Sequence, residues 1–181
     1  MSVEMWAAVL GIAVILPSVF VYNRLVSDRN LARQGYADID VQLKRRADLV
    51  PQLVEAVRGY AAYEKALLTA VTEMRSAAAA PQKPEARFGI ERSLGAGLRQ
   101  LVLLQESYPQ LKADKTFLNL QQKLVETEDH LQFARRFYNG AVKQYATRLE
   151  SFPDIVVAKL LRFRPMPFFE TDERAAHEVK L

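Results

Sequence analysis

Apolar residues recur along most of this chain at alternating intervals of three and four, the spacing that lines one narrow face of an α-helix. Tyr22, Leu25, Ala32, Tyr36, Ile39 and Leu43 follow it, with Arg29 as the charged intruder on the stripe. A second stripe runs through Val50, Leu53, Val54, Val57, Tyr60, Ala61, Leu67, Leu68, Val71 and Met74. A third takes in Leu94, Leu98, Leu101, Val102 and Tyr108. The fourth is the longest: Phe117, Leu120, Leu124, Thr127, Leu131, Ala134, Tyr138, Ala141, Tyr145 and Leu149. No segment alternates with the period of a strand.

Prolines punctuate these stripes. Pro51 closes "LKRRADLVP" and predicts the end of the first helix, with Asp48 as a cap for the next. The second helix is expected over 50–79, with Gly59 as a weak point that permits a close helix crossing. "AAAAPQKP" then breaks the pattern at Pro81 and Pro84. The third helix is expected over 85–107, where Gly95 and Gly97 lower intrinsic stability and leave packing to hold it. "SYPQLKAD" is the next break, with Pro109 as the stop and Asp114 as N-cap. The fourth helix is expected over 115–151, ending before Pro153. Connections this short favour antiparallel neighbours, so the fold class is all-α, an antiparallel four-helix bundle.

The first stripe is preceded by "MWAAVLGIAVILPSVFVY", residues 5–22, without a single charge. About 18 residues of helix come close to the lower limit for a hydrocarbon core of ~30 Å. Trp6 and Tyr22 stand near its ends, where amphipathic rings favour the interface. Pro17 removes one backbone donor and predicts a kink. A cleaved signal peptide would want basic residues before the run and a small-x-small site after it; only Glu4 precedes, and no such site follows. The reading is an uncleaved transmembrane helix continuous with the first bundle helix. The domains are then an anchor over 1–22, a bundle over 23–153 and a tail over 154–181. Arg24, Arg29 and Arg33 follow the span and none precedes it, which places the bundle in the cytoplasm, at the inner membrane. Asp28 dilutes that bias, and an extracytoplasmic bundle is the alternative.

Composition narrows function by exclusion. The chain has 181 residues, half of them hydrophobic and a quarter charged, enough for one sizeable core. The absence of cysteine excludes disulfides, thiol catalysis and lipidated cysteine. A net charge of +4 is too small and too dispersed to indicate nucleic acid. "KRR" at 44–46 is read as cations at a helix end, favoured by the dipole.

Two groups of residues invite a role. Arg135, Arg136 and Asn139 flank the fourth stripe, while Asn30, Asp38 and Asp40 flank the first. They are expected to form an interhelical polar cluster that fixes register, against the alternative of solvated flank residues. Gly140 beside Ala141 is expected to let another backbone approach. The second group is the tail "DIVVAKLLRFRPMPFF", residues 154–169, in which Ile155, Leu160, Leu161, Phe163, Phe168 and Phe169 are interleaved with Lys159, Arg162 and Arg164. Such a basic amphipathic segment suits a membrane interface. The alternatives are a plug on the bundle end and a docking segment for a partner.

"VYNRLVSDRN", "YADIDVQLKRRADLVPQLVEAVRGYAAYEK", "ESYPQLKAD", "ARRFYNGAVKQY", "RLESFP" and "FRPMPFFE", in this order from the span to the tail, resemble the bacterial LemA family. The resemblance implies a membrane-anchored antiparallel helical bundle and no established biochemical activity. The chain departs from the family pattern at Ala146, where asparagine usually follows the tyrosine.

Catalytic arrangements are poorly served. His130 and His177 are the two histidines, and Glu126 precedes His130 by four rather than the three of a di-iron pair. "ETEDH" at 126–130 is a solvated acidic turn before it is a cation site. "GAG" at 95–97 lacks the lysine of a phosphate loop. No catalytic, cofactor or metal residue is assigned. The expected function is a non-enzymatic membrane scaffold or adaptor whose partners are lipid and either an unidentified protein or a second copy. The alternatives are an auxiliary subunit of a transporter or envelope protease, and an undiscovered enzyme or metal-binding bundle.

Overall fold

The computed structural model describes residues 3–61, 63–80 and 84–169. Among them every regular element is helical: α1 (Val3–Arg58), α2 (Lys65–Ala79), α3 (Pro84–Leu103), a 3-10 turn (Leu104–Glu106), α4 (Pro109–Lys112), α5 (Lys115–Glu150) and α6 (Asp154–Leu160). Pro81, His177 and the tail beyond Phe169 lie outside the described residues.

The uncharged N-terminal run and the first stripe form one helix, as expected. The end of that helix is a correction. α1 does not stop at Pro51 but continues to Arg58, so Asp48 and "KRR" lie within it and not at a helix end. Proline lacks the N–H that would bond the carbonyl of residue 47. That acceptor is taken instead by Arg75 of α2, whose Nε donates to the Ala47 carbonyl at 3.0 Å. With the orphaned carbonyl satisfied, the apolar stripe carries the helix through. The break comes at Gly59, which has open space around it and makes no close crossing. The segment expected as one helix over 50–79 is thus shared between α1 and α2.

The third helix ends earlier than expected and passes through the 3-10 turn into α4, with Pro109 in the first turn of α4. Asp114 caps α5 as expected: its carboxylate accepts from the Phe117 N–H at 2.8 Å. It also accepts from the Tyr60 hydroxyl at 2.8 Å. The Phe117 N–H, followed by the Tyr60 hydroxyl, holds the Asp114 carboxyl below its ordinary value. In return the Asp114 hydrogen bond, and then its charge, push the Tyr60 phenol up.

The chain divides into two compact units. The first comprises α1 up to Ala37 and Arg136–Phe168. Its apolar core joins Val21 and Leu25 of α1, Tyr145 of α5 and Ala158 of α6, with Leu149, Val157, Phe163 and Met166 packed against them. Gly35 is the point of close approach between α1 and α5. A Cβ there would stand 3.0 Å from the Tyr138 Cα and 3.0 Å from the Phe137 ring. Gly140, expected to serve this purpose, faces open space.

The second unit comprises Asp38–Arg135 with Phe169. Its core draws on all four long helices: Val50, Leu53 and Val57 from α1, Leu68 and Val71 from α2, Leu94, Leu98 and Leu101 from α3, and Phe117, Leu120 and Leu124 from α5. Leu111 of α4 joins them. Gly97 is buried where a Cβ would stand 3.1 Å from Val71, so its small size serves the α2–α3 contact. Each of these apolar residues except Leu111 lies on one of the stripes read from the sequence.

Candidate functional site

Two charged residues of α1 are buried on or beside the apolar stripe. Ile39, Leu43, Arg46 and Val50 continue the four-three-four spacing of α1, and Arg46 is 1% exposed. A buried guanidinium is costly unless its charge is paired, and of the side-chain nitrogens of Arg46 only Nε lacks a partner among the described residues. Here Nη2 donates to the Glu91 carboxylate, itself 3% exposed, and to the Glu91 carbonyl at 2.8 Å. Nη1 donates to Glu128 at 2.9 Å. A Cβ on Gly95 would stand 3.2 Å from Nη1, so the glycine makes room for the fork. Three helices of the second unit are joined through one side chain. The cluster opens on one side through Glu128, which lines a groove of about 430 Å3 between α3 and α5. Leu98, Val102, Leu124 and Val125 form its apolar wall, and Arg99 and Asp129 its rim.

Asp28 plays the corresponding part in the first unit. It stands one position before Arg29, the charged residue read on the stripe, and is buried. Its carboxylate accepts from Arg148 Nε and from Gln144 at 2.9 Å, both on α5. Arg148 also reaches Asp154 of α6 at 3.4 Å. Nearby, Tyr145 is buried with no hydrogen-bond partner for its hydroxyl among the described residues. Burial pushes its phenol up from the ordinary value, and the charges of Arg29 and Arg33 oppose the shift.

The six residues expected as a polar cluster are divided between the units. In the first, Asn30 and Arg136 are exposed and Asn139 is half-buried. In the second, Asp38 is exposed, and Asp40 accepts from Arg87 of α3 at 2.7 Å. The guanidinium of Arg135 lies over the Phe169 ring, 4.5 Å from its centroid. From the sequence Arg46 reads as a helix-end cation and Asp28 as a charge after the span, while Glu91 and Arg148 carry no assigned role. The signal for Arg46 is that it continues the spacing of the first stripe past Leu43; the stripe singles out Arg29 and not Asp28.

The tail residues have several environments. Phe163 packs into the first unit's core, its ring edge-on to Tyr22 at 6.0 Å, with the Arg29 guanidinium 5.1 Å from its centroid. Ile155 and Phe168 are half-buried. Phe169 is buried in the second unit, its ring centroid 4.0 Å from that of Phe88. Tyr138 fixes the segment between them by donating to the Pro167 carbonyl at 2.6 Å. Leu160, Leu161, Arg162 and Arg164 are exposed. α1 is long and apolar enough to cross a membrane. Among the described residues no group of three or more His, Asp or Glu is arranged to hold a metal ion.

Residues 35–181 match the LemA family. The chain belongs to the LemA family. It is 26% identical to Protein LemA of Metamycoplasma hominis, over 85% of this chain and 73% of that one. It is 21% identical to Magnetosome protein MamQ 2 of Paramagnetospirillum magneticum, over 94% of this chain and 71% of the relative, and to MamQ 1 of that organism to the same extent. None of these names is that of an enzyme. In this LemA-family chain, then, the buried charged groups join helices to one another through ion pairs.

Proposed function

We propose that this LemA-family protein is a single-span, non-enzymatic scaffold or adaptor of the inner membrane. Its helices form an antiparallel bundle that presents its outer faces to a protein partner or a second copy. The observation that carries the reading is the continuity of α1. Its uncharged run leaves Ile12, Ile15, Leu16, Val19 and Phe20 exposed, and the same helix then enters a packed core at Val21 and Leu25. An exposed apolar surface of that length suits lipid. The buried charges of Arg46 and Asp28 support a structural role, because each is met by a partner on another helix. The basic residues Arg24, Arg29 and Arg33 after the run favour a cytoplasmic bundle.

The test is crosslinking in native membranes followed by purification in detergent. A recurring protein partner or a homo-oligomer is expected. Recovery of the intact chain in a salt wash without detergent overturns the anchor. Digestion of the bundle by protease added outside intact cells overturns the orientation.

A further inference from the structure

Helix α6 divides its apolar side chains between two directions. Val157 and Ala158 turn inward, onto the core that holds Val21, Leu25 and Tyr145. Val156 and Leu160, four apart and therefore on one face, turn outward and are 58% and 77% exposed. Phe152, just before the helix, is 84% exposed, and Leu161, just after it, 51%. The outer side of a surface helix is ordinarily polar. Large apolar side chains gathered there mark an interaction surface.

What covers this surface follows from its neighbours. Val21 belongs to the uncharged run of α1 and shares a core cluster with Ala158. Tyr22, at the end of that run, meets Phe163 immediately beyond α6. The exposed edge of α6 therefore lies beside the level at which α1 leaves its apolar run, next to exposed Phe20.

The charges at this level are basic. Arg24 extends over the Phe20 ring, 5.7 Å from its centroid, and Lys159, Arg162 and Arg164 are exposed. Of the acids here, Asp154 is engaged by Arg148, and Glu150 at the end of α5 is exposed beside Phe152, against the four cations. Arg162 is unusual in its backbone. It ends α6 in the left-handed region at φ 55, within a closing motif in which the Arg162 N–H bonds the Lys159 carbonyl at 3.2 Å and the Phe163 N–H bonds the Ala158 carbonyl at 2.9 Å. Glycine is the usual occupant of that position. A long cation stands there instead, on the exposed rim of the apolar edge.

We infer that α6 and its flanks lie in the headgroup layer of an anionic bilayer. Val156, Leu160, Leu161 and Phe152 enter the acyl boundary, and Arg24, Lys159 and Arg162 bind lipid phosphates. The inference rests on the reading of α1 as a membrane span. It makes the protein touch the membrane twice and sets the first unit directly on the lipid surface.

The chain lacks cysteine, so single cysteines for nitroxide labelling can be placed in the full-length protein. Leu160→Cys reports on α6, Ile15→Cys on the span, and Tyr63→Cys on a position in water, since Tyr63 is 94% exposed. Each is reconstituted in nanodiscs of phosphatidylcholine with or without phosphatidylglycerol. Accessibility to oxygen and to a water-soluble nickel complex gives depth.

The Leu160 label is expected to favour oxygen, unlike the Tyr63 label, and to shift deeper when phosphatidylglycerol is present. Arg162→Gly, which suits the backbone there, combined with Lys159→Gln, is expected to abolish that shift and leave helicity unchanged. A Leu160 label in water, with the Ile15 label in lipid, overturns this inference and leaves the span intact. A Leu160 label shielded from both reagents means that protein covers α6, and also overturns it. Equal depth in both lipid compositions overturns the assignment to anionic lipid. An Ile15 label in water overturns the span itself.

Discussion

Arg75 donates through Nε to the carbonyl of Ala47 at 3.0 Å, the acceptor that Pro51 leaves without a helical N–H. A residue of α2 thus stands in for a missing backbone donor in α1. A side-chain bond to a part-buried carbonyl is worth about 1 kcal/mol. Arg75→Met is expected to lower stability by about that amount in chemical denaturation followed by circular dichroism. Pro51→Ala restores the N–H, so in its background the same substitution should cost much less. Equal costs in both backgrounds would show that Arg75 acts through something other than the Ala47 carbonyl.

Arg46 carries a larger share. Arg46→Met leaves Glu91 buried without its cation, a situation that costs about 3–5 kcal/mol when a buried pair is broken from one side. Adding Glu91→Leu removes the stranded charge, and the double variant is expected to recover most of the loss. Arg46→Lys should fail to substitute, because a single ammonium cannot fork to Glu91 and Glu128 together. Denaturation midpoints of the three variants, measured in one detergent, check the order.

These charges also show where sequence reading succeeds and where it does not. The stripes placed Leu25, Ile39, Leu43, Leu94, Phe117 and Tyr145 in the cores, because burial follows helical period and is a local property of the pattern. Pro51 misled for the opposite reason. Its cost is local, but its remedy, Arg75, lies on another helix, and nothing near Pro51 announces it. Arg46 is legible in part, because it continues the spacing of the first stripe, whereas the stripe singles out Arg29 and not its buried neighbour Asp28; the partners Glu91 and Arg148 are fixed only when the helices pack. The tail read as uniformly amphipathic. Packing separates Phe163 and Phe169, which turn inward, from Leu160 and Leu161, which do not.

Gly35 sets the spacing of α1 and α5 in the first unit. Gly35→Ala improves helix propensity by roughly 1 kcal/mol. It also drives a methyl to 3.0 Å from the Tyr138 backbone, which cannot rotate away. Overpacking of this kind costs about 1–3 kcal/mol, so the net effect is expected to be destabilising. Gly140→Ala, in open space on the same α5, should be neutral or stabilising. Thermal denaturation of the pair separates steric cost from propensity.

Tyr145 gives the fold a pH dependence at the alkaline end. Its hydroxyl is buried without a partner among the described residues, and burial raises its pKa above the ordinary 10.0. The neutral phenol is the form the folded state retains. Above pH 10 the unfolded chain releases the proton more readily, so the contribution is full below that value and is lost as pH rises through the raised one. Tyr145→Phe removes both the unpaired hydroxyl and the titration. It is expected to be neutral or stabilising at pH 7 and to flatten part of the alkaline fall in stability. Tyr60, held up by Asp114, supplies another part of that fall, so Tyr60→Phe is the comparison. Tyr60→Phe should also flatten the alkaline limb, but it removes a hydrogen bond that Tyr145→Phe does not, and so should lower stability at neutral pH. A Tyr145→Phe variant that loses stability at pH 7 would mean that its hydroxyl is bonded after all, most simply by water admitted between α1 and α5.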